Sequence, residues 1–337
     1  MVASALWERD GLGVAVPMAK GVEVATIGET MVLVAPTPGV RLEAARRCEL
    51  HAAGAESNVA VHLAALGHRA AWAGRVGDGP LGRFLLADLK QAGVDLTAVT
   101  VDPDRPTGVF FRDPVGERTD VYYYRNGSAA TAMDAATVAP YVACPPAILH
   151  VTGITPALSP SCLDLVRRLV VERLVPGAVV SFDVNLRRSL WPDTGVAAET
   201  LQELASAADI VFVGVDEARA LWGCEDADAV RSLLPVVGEL IVKDGAGQAV
   251  WYSGSSSASV EPAEVCEIVD VVGAGDAFAA GWLSGRLRDL APIDRLRLGH
   301  LTAAACLRSP GDRGELPPFS QIAEDLGIEE THVHPVR

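Results

Sequence analysis

The chain has 337 residues, half of them apolar and few of them aromatic, with a formal net charge of −15. That length suits one large α/β domain with a small subdomain, and the composition is that of a soluble globular enzyme rather than a disordered or fibrous chain. The acidic balance argues against nucleic acid, whose phosphates call for a basic surface, and no apolar run approaches membrane-spanning length.

Residues 1–21 are expected to be a disordered extension or the product of a start site upstream of Met18. They contain Glu8 and Asp10 and lack a basic start leading into an apolar core, so they do not form a signal peptide. The six cysteines are far apart and make no CxxC pair, which points away from zinc and thioredoxin-like sites and toward a reducing, cytoplasmic setting. Residues 22–34 read as strand, glycine break at Gly28, strand, and residues 48–53 as a further strand. The segment 57–66 switches to helical spacing, with Ser57 or Asn58 as its cap. A strand over 70–76 and a helix over 81–91 follow, then two strands, 107–112 and 119–125, around a turn at Gly116.

Beyond Asp134 the rhythm is regular. Strands at 147–152, 178–184, 210–213 and 240–243 alternate with helices at 161–174, 197–207 and 216–222, which implies βαβ units and a mostly parallel sheet covered on both faces. The strand-rich pieces, about 31–53 and 107–125, interrupt that rhythm and are expected to form a small separate sheet. His332 and His334, near the end of a C-terminal helix and tail over 319–337, read as exposed surface rather than a metal site.

The sharpest local signal is Gly273-Ala274-Gly275-Asp276, read as a turn between a strand over 267–271 and a helix starting near Ala277. Small residues there let backbone N–H groups converge, and the helix dipole adds a favourable field for an anion. Asp276 at the mouth of such a hole is placed to accept a proton from a hydroxyl nucleophile; a tight turn with a helix-capping aspartate is the competing reading. The three lysines, Lys20, Lys90 and Lys243, lie in no GxxxxGK[ST] loop, and no GxGxxG opens a helix after the first strand.

These segments resemble the ribokinase-like, or PfkB, carbohydrate kinases over residues 22–318. Asp270 to Asp276 reads DVVGAGD, matching the family's D-x-x-G-A-G-D. Ala53-Gly54-Ala55-Glu56-Ser57-Asn58 and Gly74-Arg75-Val76-Gly77-Asp78-Gly79-Pro80-Leu81-Gly82 match its N-terminal signatures, with Ala53 and Gly79 as departures. Within the family, three segments, 122–129, 153–159 and 183–191, resemble the 2-keto-3-deoxygluconate kinases.

The resemblance implies a three-layer α/β/α Rossmann-like sheet with a small β-sheet lid, and ATP-dependent phosphorylation of a sugar-acid hydroxyl. Asp276 would be the base, with Gly273, Ala274 and Gly275 forming the anion hole. Gly28, Gly54 and Asn58 would approach the sugar. Arg125 from the lid and Arg187 from the main domain would pair with a carboxylate, which suits a guanidinium; a surface ion pair is the plainer reading of each. Tyr123 is preferred to Tyr124 as the pocket residue. Lys243, Gly245 and Gly247 match the turn beneath ATP, and His300 the position near adenine. Glu217 is expected to act on Mg2+ through water, with Gly214 in place of the family asparagine. The resemblance further implies a homo-oligomer joined through lid sheets, whose apolar edges need cover. A fructokinase or ribokinase is the alternative, and a catalytically idle sugar-binding regulator a more distant one.

Overall fold

The computed structural model describes residues 21–116, 118–245, 247–262, 268–309 and 313–333. An eight-stranded sheet organises the chain. Six of its strands are parallel, in the spatial order Ala70–Ala73, Val24–Ile27, Ile148–Thr152, Val179–Asp183, Ile210–Gly214 and Glu239–Lys243. Ala249–Ser253 and Ser256–Val260 extend it antiparallel.

Alternation along each strand divides the core in two. Ala25, Ile27, Val151, Phe182 and Val213 face one way, against helices Pro160–Val170, Thr194–Ala207 and Val215–Trp222. Val24, Trp72, Phe212 and Ile241 face the other, against helices Ala55–Ala65, Pro80–Gln91, Ala274–Leu287 and Pro292–Leu307. This is the expected three-layer α/β/α arrangement. Helix Ala274–Leu287 packs between two other helices and is buried continuously from Asp276 to Gly285, which explains its nearly unbroken run of small and apolar residues.

A separate four-stranded sheet forms from Cys48–Ala53, Met31–Pro36, Val109–Val115 and Arg118–Tyr124. Its register puts Leu33, Phe110 and Tyr123 on one face, and Leu50, Val34, Phe111 and Tyr122 on the other. Leu50, Tyr122 and Tyr124 on that second face are exposed.

Three expected elements differ. The strand over 70–76 stops at Ala73; Arg75–Gly77 turns away to pair with Thr100–Asp102 in a two-stranded sheet. The break is at Gly74, where a Cβ would collide with the Trp72 ring and the Gly28 carbonyl. The first helix begins at Ala55 with Gly54 as N-cap, so Ser57 and Asn58 lie inside it. No strand forms over 268–271, and residue 267 lies outside the described residues. That segment instead hangs from the Leu307 carbonyl through the Val269 and Asp270 amides.

Chain direction then places the site. The parallel strands all end on one edge, and the chain leaves Val24–Ile27 to build Ala70–Ala73 on one side before Ile148–Thr152 on the other. Such a reversal opens a crevice beyond the carboxyl ends of the strands, and the small sheet covers it. Phe212, fully buried and edge-on to Trp282 at 5.5 Å, sits beneath that crevice. Phe212→Ala is expected to cost about 3–5 kcal/mol, measured by urea unfolding; a loss below ~1 kcal/mol would show that the layer repacks around the gap.

Candidate active site

A cavity of about 980 Å³ lies between the inward face of the small sheet and the carboxyl edge of the large one. Gly273 opens its anion-facing turn at φ 83°, a left-handed conformation that favours glycine. Gly273 is therefore the cap of helix Ala274–Leu287, and Asp276 is its third residue rather than its cap. The helical ladder starts with Ala277 N–H donating to the Gly273 carbonyl at 2.9 Å. The amides before it have no partner four residues back, and they face the same cavity.

Asp276 is 8 % exposed. Its Oδ2 accepts from Asn58 Nδ2 at 3.0 Å and its Oδ1 from Asn185 Nδ2 at 3.4 Å. Two neutral amides thus aim the carboxylate. Asn58 is itself held, its Oδ1 accepting from Arg313 Nε at 3.4 Å. Asn185 has a positive φ of 38°, tolerable for asparagine, and this bend past strand Val179–Asp183 turns its amide toward Asp276.

Lys243 ends strand Glu239–Lys243, and its Nζ donates to Asp183 Oδ2 at 3.1 Å. Burial works against its charge, but the carboxylates of Asp183, Glu217 and Asp276 prevail and hold its pKa above the ordinary lysine value. Glu217 accepts from the amides of Gly214 at 2.9 Å and Leu186 at 2.7 Å. It thereby caps its own helix and fixes the residue before Arg187. Burial, and then the Asp183 charge, push its pKa up, with Lys243 opposing.

Asp183 Oδ1 is buried without a hydrogen-bond partner and belongs to the cavity wall, as does Glu217. Such oxygens suit a hard cation such as Mg2+. Among the described residues no cluster of three or more His, Cys, Asp or Glu could hold a metal ion. Asp216 is exposed and pairs with Arg219 at 2.7 Å.

The small sheet supplies Phe110, Arg112, Val121 and Tyr123 to the wall, with Arg125 just beyond its last strand. Tyr123 stacks on Phe110 at 5.4 Å, whereas Tyr124 lies on the opposite face at 69 % exposure. Arg125 is buried and forms an ion pair with Glu29. Arg187 lines the wall, donates to the Leu186 carbonyl at 3.3 Å, and makes no ion pair with a described acidic residue.

Of the residues singled out in the sequence, Gly54, Asn58, Tyr123, Arg125, Arg187, Glu217, Lys243, Gly245, His300 and Gly273 to Asp276 all share this one wall. His300 Nε2 lies 3.1 Å from the Val260 carbonyl and its ring meets Phe278 edge-on; burial lowers its pKa. Gly28 and Gly247 are not among the residues lining the cavity. At Gly28 a Cβ would come within 2.1 Å of the Glu56 carboxyl carbon, and the Gly247 amide donates to the Asp244 carbonyl at 2.6 Å.

Comparison with known proteins agrees with this geometry. A profile described as pfkB family carbohydrate kinase matches residues 22–318. A 2-dehydro-3-deoxygluconokinase of Bacillus subtilis (strain 168) is 37 % identical over 284 residues, 83 % of this chain and 87 % of that protein. Fructokinase-1 of Oryza sativa subsp. japonica is 32 % identical over 318 residues, covering 91 % and 98 %. The crystal structure of a PfkB protein from Polaromonas sp. JS666 superposes with a TM-score of 0.79 at 33 % identity, covering 86 % of this chain and 97 % of that one.

Glu56 is a wall residue that the sequence reading passed over. Its Oε1 accepts from the Thr152 and Thr155 hydroxyls, both at 2.8 Å, and from the Thr152 amide at 3.2 Å. These bonds favour the carboxylate, yet complete burial outweighs them and raises its pKa. A carboxyl whose pKa is raised on folding stabilises the native state below its unfolded pKa, and that contribution is lost as pH rises through the folded value. Glu56→Gln, which keeps the Oε1 acceptor, is therefore expected to gain stability relative to the parent as pH climbs above the ordinary carboxylate range. Urea titrations at several pH values check this; a pH-independent difference between the two proteins would mean Glu56 is ionised in the fold.

Proposed function

The chain belongs to the pfkB family of carbohydrate kinases, and from that premise we propose that its acceptor is 2-keto-3-deoxygluconate, phosphorylated to 2-keto-3-deoxy-6-phosphogluconate. ATP-dependent phosphorylation of a sugar is the activity of the family. The observation that carries the finer reading is Arg187, a cation in the cavity wall with no described acidic partner. A neutral sugar leaves that charge unanswered, whereas a sugar acid brings the missing carboxylate. The Bacillus subtilis relative, named for a sugar-acid substrate, supports the same choice.

In this reading the acceptor hydroxyl sits against Asp276, at the mouth of the turn Gly273–Asp276. Asp276 takes the hydroxyl proton as the oxygen bonds to the γ-phosphorus and the bond to the β–γ bridging oxygen breaks, releasing ADP. First-turn amides of helix Ala274–Leu287 stabilise the charge on the transferred group. The Lys243 ammonium adds positive charge close by, its Nζ 3.6 Å from where a Cβ on Gly275 would be. Asp183 and Glu217 would hold Mg2+ through their lone pairs and water, and the ion would supply neutralisation of the phosphate charge. Gly245, on a left-handed turn, and His300 line the part of the wall proposed for the nucleotide.

Two measurements test the reading. Asp276→Asn cannot take the proton and sets its NH2 against one of the two asparagine donors, so kcat is expected to drop about 10²–10⁴-fold while circular dichroism stays unchanged; near-normal turnover in the folded variant would remove Asp276 from the chemistry. Arg187→Ala is expected to lower kcat/KM about ten- to a hundredfold for 2-keto-3-deoxygluconate and far less for fructose. Equal losses on both acceptors, or a parent enzyme that prefers fructose, would replace the sugar-acid reading with a fructokinase.

A further inference from the structure

Arg125 and Arg187 differ in one respect that matters for an anionic substrate: Arg125 already has a carboxylate. Its Nη2 pairs with Glu29 Oε2, and the Glu29 side chain is 1 % exposed. The other oxygen, Oε1, accepts from Ser128 Oγ at 2.7 Å. Glu29 stands just past the end of strand Val24–Ile27 and lines the cavity with both arginines. The Arg125 guanidinium lies 5.6 Å from the Tyr123 ring centre, and its Nε is buried without a hydrogen bond inside the protein. The cavity wall thus holds one guanidinium already paired, Arg125 with Glu29, and one without a described acidic partner, Arg187.

We propose that Glu29 is a specificity-determining residue, the built-in counter-anion of Arg125 that competes with the substrate carboxylate for that guanidinium. The inference rests on the sugar-acid reading above. A buried guanidinium without a partner is costly, so Glu29 keeps Arg125 paired while the site is empty. When the acid enters, Arg125 shares its remaining donors, and the net attraction is smaller than two unpaired arginines would give. Glu29 thus sets how strongly the site holds an anion, product included, and leaves the neutral hydroxyl contacts alone.

The test is Glu29→Gln, which keeps the acceptor for Ser128 and deletes the charge. KM for 2-keto-3-deoxygluconate is expected to fall roughly three- to tenfold, product inhibition to tighten in parallel, and KM for fructose to stay within about twofold. If the variant does not fold, Glu29→Asp retreats from Arg125 while keeping its charge, and a smaller shift in the same direction is expected. A KM that rises for the acid, or that moves equally for both acceptors, makes Glu29 a structural support and overturns the inference while leaving the sugar-acid reading standing. A parent enzyme that does not favour the acid overturns that reading, and this inference with it.

Discussion

The site depends on keeping a nearly buried carboxylate charged and aimed. Asp276 loses most of its hydration to the fold, and water lost by an ion must be replaced or the ion takes up a proton. Two asparagine amides, from Asn58 and Asn185, donate to the Asp276 carboxylate, and Lys243 pairs with the neighbouring Asp183. The position at the first turn of a fourteen-residue helix adds a field that favours negative charge. Asp276 is stabilised by dipoles and a nearby cation while its oxygens remain able to take a proton.

That arrangement explains the architecture around it. The two asparagines come from opposite sides of the topological reversal, Asn58 from the helix after the first small-sheet hairpin and Asn185 from the loop after Val179–Asp183. Both must reach one carboxylate, so the backbone beneath has little slack. At Gly54 a Cβ would meet the Glu29 carbonyl at 2.2 Å and the Thr30 Cα at 2.9 Å. The helix that carries Asn58 is therefore capped where the chain can pass that close, at Gly54, and begins with Ala55. Glu217 does similar work on the other side: by holding both the Gly214 and Leu186 amides it fixes the loop bearing Asn185 and Arg187.

What was legible in the sequence follows the range of the interactions. Alternating strands and helices declared the three-layer fold, because hydrophobic period is a local property. The turn Gly273–Asp276 was legible because its function needs small residues in a row. Strand Ala70–Ala73 was overrun to residue 76 because nothing local reveals that Gly74 lies against Trp72 and Gly28. Residues 268–271 look like a strand by composition, being Ile, Val, Asp and Val, but the Val269 and Asp270 amides bond to the Leu307 carbonyl instead of a strand. Gly28 read as a floor glycine, and nothing local reveals that the Glu56 carboxyl packs against it. Glu29 and Glu56 were passed over for one reason: their partners, Ser128 and Thr155, each lie 99 positions away, and no motif spacing encodes such a pair.

The same long-range pairing governs how the small sheet meets the rest of the molecule. Ion pairs among the described residues cross that seam, Arg125 with Glu29 and Arg112 with Asp270. Asp270 also accepts from the Val272 amide at 3.0 Å through its other oxygen, shaping the approach to Gly273. One carboxylate is thus shared between the small sheet and the turn that faces the transferred phosphoryl group. Apolar contact alone would let the sheet slide, since the Met31, Leu33 and Phe110 cluster has no directional preference. Charged hydrogen bonds supply direction, and because both pairs are largely buried, salt screens them weakly. The seam is therefore held in register by the residues that border the two chemical ends of the cavity: Glu29 beside the proposed carboxylate, Asp270 beside the anion turn. A sheet docked this way excludes water from the reacting groups only when both ends are in place, which ties closure of the site to its completeness.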